Sequence, residues 1–365
     1  MGRILAFAVL IIVGYILAGC EPVANTDQNQ EPQTGTRSLS NENSSSLPTD
    51  KDLNVAFYNV ENLFDAIDDP KTNDNDFTPD GELHWTDANY RVKLKNLAKV
   101  IASLDADVLG MAEVENREVL EDLIAEPALA SAGYAIVHEH SSDGRGIDVA
   151  MLYRPASFQY VKHSSHRPKF SEEAGYRSRD VLQVQGKTAD GSNLYLFVNH
   201  WPSRRGGQAE SEVRRLVLAR LVRGELNKIR KNEPNARFLL MGDFNDDPHN
   251  KGIMEVLDSK ADPALVPDDG LFNPMRTLHD PESYGSLTYK GKWNLFDQFL
   301  ISEDLVKASK GLHYVSGSAK VYSPDWMRVG YGRSAEAPRR AIFRGEFRPD
   351  GFSDHFPIQL KLVID

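Results

Sequence analysis

Apolar residues recur along the chain at two spacings, and each spacing predicts a different element. Leu53, Val55 and Phe57 alternate with their neighbours, which is the period-two pattern of a β-strand with a buried face. Over residues 88–103 apolar side chains recur every three or four positions, which predicts an amphipathic helix. The same reasoning predicts further strands over residues 108–112, 134–138, 147–153, 180–185, 194–199, 238–241, 287–290, 295–301 and 356–363, and further helices over 117–131, 209–231 and 251–258.

The order of these elements indicates the fold class. Strands and helices are mixed throughout, but many strands follow one another with no predicted helix between them. This order favours an α/β sandwich of mixed sheets over a regular doubly wound sheet. No internal repeat and no clear linker occur after residue 52, so residues 52–365 are predicted to form one domain.

The first 51 residues follow a different pattern. Arg3 precedes an apolar run over residues 4–17, which is short for a membrane span and typical of a signal peptide. Small residues directly before Cys20 resemble a bacterial lipoprotein signal, in which Cys20 is lipidated and residues 1–20 form the signal segment. An ordinary signal peptide, or an anchor helix with an incidental cysteine, is the alternative. Residues 21–51 are polar and rich in Asn, Gln, Ser, Thr and Pro, which predicts a flexible tether.

Composition and charge narrow the functional classes. The chain has 365 residues, of which 41% are hydrophobic, so it can bury a large core. Its net charge of -11 provides no general attraction to nucleic acids or acidic membranes. A polyanionic substrate would therefore need a local basic patch and a cation. Cys20 is the only cysteine, which excludes an internal disulfide.

Polar residues recur where the predicted buried strands end. After the apolar run 238–241, alternation places Asp243 and Asn245 on one side of the chain and turns Phe244 into the core. An Asx turn alone would explain this stretch equally well, because Gly, Asp and Asn all favour turns. The full set of strand-end residues is Asn59, Glu61, Glu113, His200, Asp243, Asn245, Asp297, Asp354 and His355.

This set favours one kind of chemistry. Carboxylate and amide oxygens without thiolates favour Mg²⁺, with Mn²⁺ or Ca²⁺ as alternatives, over structural zinc. The Walker, GxGxxG and GxSxG motifs are absent, which argues against nucleotide cofactors and a serine hydrolase. Two separated histidines with nearby acids fit general acid and base catalysis. With a divalent cation, these groups predict hydrolysis of a phosphate ester by in-line attack of water.

Six short motifs in order carry a family resemblance. They are N-V-E-N at 59–62, A-E-V-E-N at 112–116, N-H-W-P-S at 199–203, G-D-F-N at 242–245, F-D-Q-F-L-I-S at 296–302 and S-D-H-F-P at 353–357. Their succession resembles the endonuclease/exonuclease/phosphatase family, which includes pancreatic-type deoxyribonucleases, apurinic endonucleases, sphingomyelinases and inositol-polyphosphate phosphatases. The resemblance implies a four-layered α/β sandwich of two central mixed sheets flanked by helices, with the site at one edge.

The resemblance also implies roles for individual residues. It makes Glu113 the principal metal ligand, supported by Asn59 and, less directly, by Glu61 and Asp354. These four residues supply only oxygen donors from their side chains.

The remaining matched residues would act on water and phosphate. By resemblance, Asp243 and Asn245 position the attacking water and the phosphate. His355, oriented by Asp297, would be the general base or a phosphate-polarising imidazolium. His200 stands where pancreatic-type nucleases have a general acid and apurinic endonucleases have a tyrosine, which argues against apurinic repair.

Three further residues are candidates from the sequence alone. Asp148 lies on a strand that enters the same edge and could orient His200, although pairing of a surface acid with Arg145 is an equal alternative. Arg145 and Arg179 are candidates to bind phosphate bidentately, unless their side chains are simply solvated.

A basic and aromatic region precedes the last motif. Arginines next to aromatic side chains predict a nucleic-acid groove with backbone contacts and base stacking, and a solvated loop is the alternative. Arg204 and Arg205 could lie on the same rim. The region contains Arg328, Arg333, Arg339, Arg340, Arg344 and Arg348, interleaved with Trp326, Tyr331, Phe343 and Phe347.

The sequence thus predicts an exported, monomeric, Mg²⁺-dependent nuclease, anchored by lipid in a bacterial cell envelope and facing the periplasm or exterior. Its expected substrate is DNA in preference to RNA. A phosphatase or phosphodiesterase acting on an inositol phosphate or sphingomyelin is the second hypothesis, although no long exposed hydrophobic hairpin suggests membrane entry. A lipid-anchored binding protein without catalysis is the third, and the presence of both histidines and all expected acids argues against it.

Overall fold

The computed structural model describes residues 52–173, 175–331 and 334–365. The predicted lipidation site Cys20 and the predicted tether over 21–51 lie outside these ranges. Among the described helices, none combines the length and the apolar character needed to cross a bilayer.

Among the described residues, four α-helices flank the strands. They are α1 (Asp87–Leu104), α2 (Arg117–Ala125), α3 (Gln208–Asn232) and α4 (Glu303–Lys307). The helix predicted over 251–258 is instead a single π-helical turn over Gly252–Val256.

The end of α2 corrects a predicted boundary. The apolar periodicity predicted a helix to residue 131, but α2 ends at Ala125. Glu126 leaves the helical region with φ −56° and ψ 140°, and Pro127 follows it. A proline disfavours helical backbone at the preceding residue, which ends the helix here.

Two seven-stranded sheets form the centre of the fold. The first has the order β14-β20-β1-β2-β4-β3, with β15 also paired to β20, and the second has the order β5-β6-β7-β8-β13-β10-β9. The strands of the first sheet are β1 (Leu53–Leu63), β2 (Val108–Val114), β3 (Ala135–His138), β4 (Asp148–Tyr153), β14 (Leu312–Tyr314), β15 (Lys320–Val321) and β20 (Ile358–Ile364). Those of the second are β5 (Gln159–His166), β6 (Val181–Lys187), β7 (Asn193–His200), β8 (Arg237–Asp243), β9 (Ser259–Lys260), β10 (Leu271–Phe272) and β13 (Asp297–Ser302).

Three two-stranded ribbons complete the described strands. They are β11 (Leu287–Tyr289) with β12 (Lys292–Asn294), β16 (Arg328–Tyr331) with β17 (Ser334–Pro338), and β18 (Ile342–Phe343) with β19 (Glu346–Phe347). The last two ribbons lie in the basic and aromatic region, which is therefore built from hairpins.

The edge strand β5 was missed by the sequence reasoning. Its residues are mostly exposed, so it has no buried face to impose an apolar alternation. It pairs antiparallel with β6 at the edge of the second sheet.

The two sheets pack face to face, and helices cover their outer sides. A Cβ atom at Gly110 in β2 would lie 2.6 Å from the sulfur of Met241 in β8, so the glycine lets the sheets approach closely. Leu218 and Val222 of α3 pack with Phe197 and Phe238 on the outer face of the second sheet. Buried side chains of α1 join the core of the first sheet. This arrangement confirms the predicted four-layered sandwich.

Strand direction brings the functional motifs to one edge. β1 runs parallel to β2 and β7 runs parallel to β8, so the carboxyl ends of each pair lie together. In the second sheet, Asp243 is in register with His200 on one side and with Asp297 on the other.

Candidate active site

Asp243 lies at the centre of this edge. Its carboxylate accepts a hydrogen bond from the Asn59 amide at 3.1 Å, which links the two sheets. Its other oxygen accepts the backbone N–H of Asn245 at 2.9 Å. The Asn245 amide donates to the Trp201 carbonyl at 3.0 Å. The Asx-turn geometry is therefore present, and it also holds Asp243 and Asn245 in place at the strand end.

Glu113 faces Asp243 from the first sheet. One oxygen accepts the backbone N–H of Asn62 at 2.9 Å, and the other lies 3.3 Å from the Asn59 amide nitrogen. Glu113 has a φ of 65°, and Glu61, Asn62 and Asn245 also have positive φ values. Non-glycine residues seldom adopt this conformation, and it concentrates at functional sites. These positive φ values change the side-chain directions of Glu61, Asn62 and Glu113 near the ends of β1 and β2.

Two more acids lie near the site, Glu61 in β1 and Asp354 in the loop before β20. The Glu61 carboxylate accepts the backbone N–H groups of Ala341 at 2.6 Å and Ile342 at 3.3 Å. Burial, together with the Asp354 charge, raises the pKa of Glu61 to about 8. Both Glu61 oxygens therefore accept hydrogen bonds from the backbone at the start of β18. These bonds compete with the predicted role of Glu61 in metal binding. Asp354 stays at the site, with a carboxylate oxygen 3.9 Å from His355 Nε2.

His355 is held by Asp297 as predicted. Their Nδ1 and carboxylate oxygen are 2.6 Å apart, and both residues are buried. Burial disfavours the imidazolium, but the Asp297 carboxylate, with Asp354 and Asp243, raises the pKa of His355 well above 6.5. Nε2 lies 3.9 Å from an Asp243 oxygen. His355 is therefore a charged donor at neutral pH, which favours the phosphate-polarising role over the general base.

His200 has the opposite electrostatic state. Burial, and then the positive charges of Arg179, Arg145 and His355, lower its pKa well below 6.5. Its Nε2 lies 3.6 Å from an Asp243 oxygen and 3.8 Å from a Glu113 oxygen. Nδ1 is buried and has no hydrogen-bond partner among the described residues. His200 is thus a neutral imidazole, whereas the resemblance implied a general acid.

The predicted pairing of Asp148 with His200 is wrong. One Asp148 oxygen is 2.9 Å from His138 Nε2 and 3.1 Å from His140 Nδ1, and the other accepts the Ser141 N–H. The alternative of a surface acid paired with Arg145 also fails, because the Asp148 side chain is only 3% exposed.

Arg179 and Arg145 differ from each other. Arg179 is buried and donates to the carbonyls of His200 and Trp201 and to the Asp143 carboxylate, so its predicted phosphate contact is wrong. Its donors are committed to the backbone around His200. Arg145 is 52% exposed, pairs with Asp143 and lies near enough to Glu113 and His200 to affect their electrostatics. It remains a candidate for phosphate binding.

The predicted basic rim is partly committed to internal contacts. Arg204 donates to the Asn245 carbonyl and Asp247 and lies over Phe296, so it supports the Asn245 turn from behind. Arg328 pairs with Glu336, and Arg339 pairs with Asp350. Within the described residues, Arg344 and Arg348 on the β18–β19 hairpin are exposed.

Two residues support the site in roles that were not predicted from the sequence. Ser353 donates to the Asn59 carbonyl at 2.7 Å and accepts the His355 N–H, which joins the last motif to β1. Lys93 is fully buried in α1 and donates to the carbonyls of Glu61 and Phe352. Its position one turn before Leu97 on the apolar face of the predicted helix was a signal that could have identified it.

The donor set fits a divalent cation. Burial and the negative charges of Asp297 and Glu113 raise the pKa of Asp243 to about 7. The ionised acids at this edge therefore repel one another. A cation between these acids would relieve their repulsion. Ligand atoms of Asp243, Asp297 and His355 lie within 4.8 Å of one another. Of these, the carboxylate oxygens suit a hard cation, whereas the charged His355 ring has no free lone pair to offer.

Comparisons with known proteins agree with this fold. The solved structure of an endonuclease/exonuclease/phosphatase family protein from Bacteroides thetaiotaomicron has a TM-score of 0.54 and 18% identity, covering 87% of this chain and 99% of that one. D. rerio TDP2 complexed with a single-strand DNA product gives 0.51 and 15%, covering 86% and 99%. The human Nocturnin catalytic domain with bound sulfate gives 0.51 and 13%, covering 86% and 95%.

Sequence comparisons give the family itself. No curated protein sequence matches the chain. The model of the Endonuclease/Exonuclease/phosphatase family matches residues 54–363, which span both sheets and every site motif described above. The chain therefore belongs to the endonuclease/exonuclease/phosphatase family.

Proposed function

We propose that this protein is a metal-dependent phosphodiesterase that cleaves nucleic acids, exported and anchored to the cell envelope by lipid. Its family consists of phosphoric-ester hydrolases. The observation that carries the proposal is the meeting of Glu113, Asn59 and Asp243 with the His355–Asp297 pair at one edge of the sandwich. Phosphoester hydrolysis can use each of these groups, the acids for a cation and water and the histidine pair for the phosphate.

Glu113 would hold the cation, with Asn59 oriented beside it. Asn59 accepts the Glu61 N–H at 3.0 Å through its side-chain oxygen, so the direction of its amide is fixed. When bound, Mg²⁺ or a similar hard cation would neutralise charge on the phosphate and favour ionisation of water.

The chain's own groups would orient water and phosphate. Asp243, with a pKa of about 7, can accept a proton near neutral pH. The His355 imidazolium, fixed by Asp297, can donate a hydrogen bond to a phosphate oxygen. Neutral His200 can donate one further N–H bond beside Asp243. The site thus combines a charged His355 with a neutral His200 in one backbone conformation.

Nucleic acid is the substrate that the surface supports best. The β18–β19 hairpin is tied to the site through the Glu61 contacts, and it exposes Arg344 and Arg348 next to aromatic residues. The DNA product bound to D. rerio TDP2 adds support by analogy within the fold. We favour DNA over RNA and a monomeric enzyme.

A small or lipid-derived phosphate is the alternative substrate. The pairing of Arg328 and Arg339 with acids removes positive charge from the predicted groove, which favours a smaller polyanion such as an inositol phosphate. Export rests on the apolar segment before Cys20 and on the polar tether after it.

The test is to incubate the purified chain with plasmid DNA, RNA and a panel of phosphomonoesters, with Mg²⁺ or with EDTA. We expect nicking of DNA that requires the cation and is lost in His355→Ala. His313→Ala is the matched control, because His313 lies on β14 at the opposite edge. A preference for phosphomonoesters would refute the nuclease, and cleavage that survives both EDTA and His355→Ala would refute the mechanism.

A further inference from the structure

A second cluster of potential metal ligands lies outside the active site. His138 ends β3, Asp148 begins β4, and His140 lies in the loop that connects them. His138 Nε2 and His140 Nδ1 lie 2.9 and 3.1 Å from the same Asp148 oxygen. Among the described residues, this cluster and the one around Asp243 are the two groups able to converge on one ion.

The geometry is close to that of a coordination shell. In a tetrahedral site with bonds of about 2.0–2.1 Å, neighbouring ligand atoms are about 3.3 Å apart. The two nitrogen–oxygen distances need to lengthen only slightly to reach this value. The side chains of His138 and Asp148 are each 3% exposed, whereas that of His140 is 72% exposed. Two ligands are therefore fixed by the sheet, and the third leaves an open path for an ion.

We propose that His138, His140 and Asp148 form a second metal site, which binds a transition ion of the Zn²⁺ class. Two imidazole nitrogens and one carboxylate oxygen suit zinc and similar ions and do not suit Mg²⁺. The ion binds the lone pairs of His138 Nε2 and His140 Nδ1. In each neutral ring the single proton moves to the other nitrogen, so no net proton is released from the rings. Solvent supplies the fourth ligand on the side of His140.

The surroundings favour a cation. His140 and Asp148 line a surface cavity of about 490 Å³. The other acidic residues that line this cavity are Asp65, Asp68, Asp69, Glu115 and Asp143. Lys71 and Arg177 are the basic residues of the same lining, and burial raises the pKa of Glu115 to about 8. The aspartates still outnumber the two basic residues, so the cavity favours a cation near the open ligand position. The hydrogen bond from the Ser141 N–H to the second Asp148 oxygen orients the carboxylate, as supporting contacts do in metal sites.

The site would also fix the loop that borders the active site. Residues 139–147 connect the two strands and include Asp143, which binds both Arg145 and the buried Arg179. An ion at His140 would tie the start of this loop to the first sheet. Its role is therefore positional, separate from the chemistry at Glu113.

The test uses the full chain with its affinity tag removed, in a Glu113→Gln/Asp243→Asn background that disables the active-site ligands. We expect one Zn²⁺ per chain by calorimetry and a visible d–d absorption band with Co²⁺. His140→Ala should weaken binding by at least about tenfold. Because the His140 ring is exposed, its replacement leaves the packing of the core unchanged.

Two further variants make the result specific. His140→Cys should keep Zn²⁺ binding and add a thiolate charge-transfer band with Co²⁺. His163→Ala removes a histidine of β5 that is bound to Glu139 and Tyr160, and it should bind Zn²⁺ like the parent. The absence of Zn²⁺ binding in the parent background, or equal binding by His140→Ala, would overturn the proposal and leave a hydrogen-bonded cluster only.

Discussion

Two buried histidines in one cleft have opposite protonation states because their neighbours differ. His355 contacts the carboxylate of Asp297 directly, whereas His200 lies near Arg179 and Arg145 and has no hydrogen-bond partner on Nδ1 within the described residues. Divergent pKa values in a shared site are a mark of assigned catalytic roles. Arg179 and Arg145 therefore contribute to the electrostatic state of His200, after burial, which is the larger cause.

Asp297→Asn is expected to lower the pKa of His355 and slow catalysis by about 10²-fold or more. Asparagine keeps the shape of the side chain but removes the negative charge that opposes deprotonation of the imidazolium. Because a raised pKa keeps His355 charged as pH rises, activity in the variant should fall at a lower pH than in the parent. NMR titration of the histidine rings and a pH–rate profile measure both effects. Unchanged titration of His355 would contradict the assignment.

The sequence predicted which residues lie at the site better than it predicted the groups that each of them contacts. Asp243 and Asn245 follow from local alternation, because neighbours along a strand have fixed directions. The partner of Asp148 does not, because it depends on how β3 and the 139–147 loop place two histidines. Arg179 was misassigned for the same reason, since burial and backbone acceptors arise only from the folded chain.

At the scale of elements, the register of three neighbouring strands places three residues of the site side by side. β7, β8 and β13 align His200, Asp243 and Asp297 in one row. Gly242 makes this possible, because a Cβ atom there would lie 2.6 Å from Asn199 Cβ in the neighbouring strand. A side chain at Gly242 would push β8 away from β7 directly before Asp243.

Gly242→Ala is expected to destabilise the fold by about 1–3 kcal/mol and to reduce activity. Gly224→Ala is the matched control, because a Cβ atom at that position in α3 meets no described atom within 4 Å. Alanine favours helix over glycine, so the control should be neutral or slightly more stable. Urea denaturation and the DNA-nicking rate measure the difference. Equal stability of the two variants would show that the strands can separate without cost.

Arg179→Met is expected to cost about 3–5 kcal/mol of stability, because it leaves the buried Asp143 carboxylate and two carbonyls without this donor. Arg179 links the start of β6 to the end of β7 and to the 139–147 loop. The exposed neighbour Arg177 provides the control variant Arg177→Met, which should unfold like the parent. Urea midpoints compare them, and a similar midpoint for both variants would mean that Arg179 is dispensable to the fold.

At the scale of the whole molecule, the sandwich and the edge that carries the site could be predicted because buried strands impose strong patterns. The sequence predicted β11 but did not reveal β5 or most of the other short strands of the last third, since exposed edges and two-residue ladders carry little apolar periodicity. Pairing across long sequence separations also escaped prediction. The Glu61 carboxylate, for example, binds residues 341 and 342, which lie 280 and 281 positions later in the sequence.

The overall charge of -11 means that a polyanion must be bound by a local surface. Arg344 and Arg348 are exposed on the β18–β19 hairpin beside the site, so they are the groups best placed to contact phosphates. Replacing both with alanine should weaken binding of single-stranded DNA and reduce the slope of log affinity against log salt by about 1.4, since each phosphate contact on a single strand contributes about 0.7.

Fluorescence anisotropy over a salt series, with a catalytically inactive His355→Ala background, measures this change directly. The Lys187→Ala/Lys310→Ala double variant removes the same charge at the opposite edge, where β6 ends and β14 begins. It should bind DNA with the parent's salt dependence, because fields from that edge are screened beyond about 10 Å at moderate salt. If both double variants lower the slope equally, binding follows total charge and the hairpin is not the nucleic-acid surface.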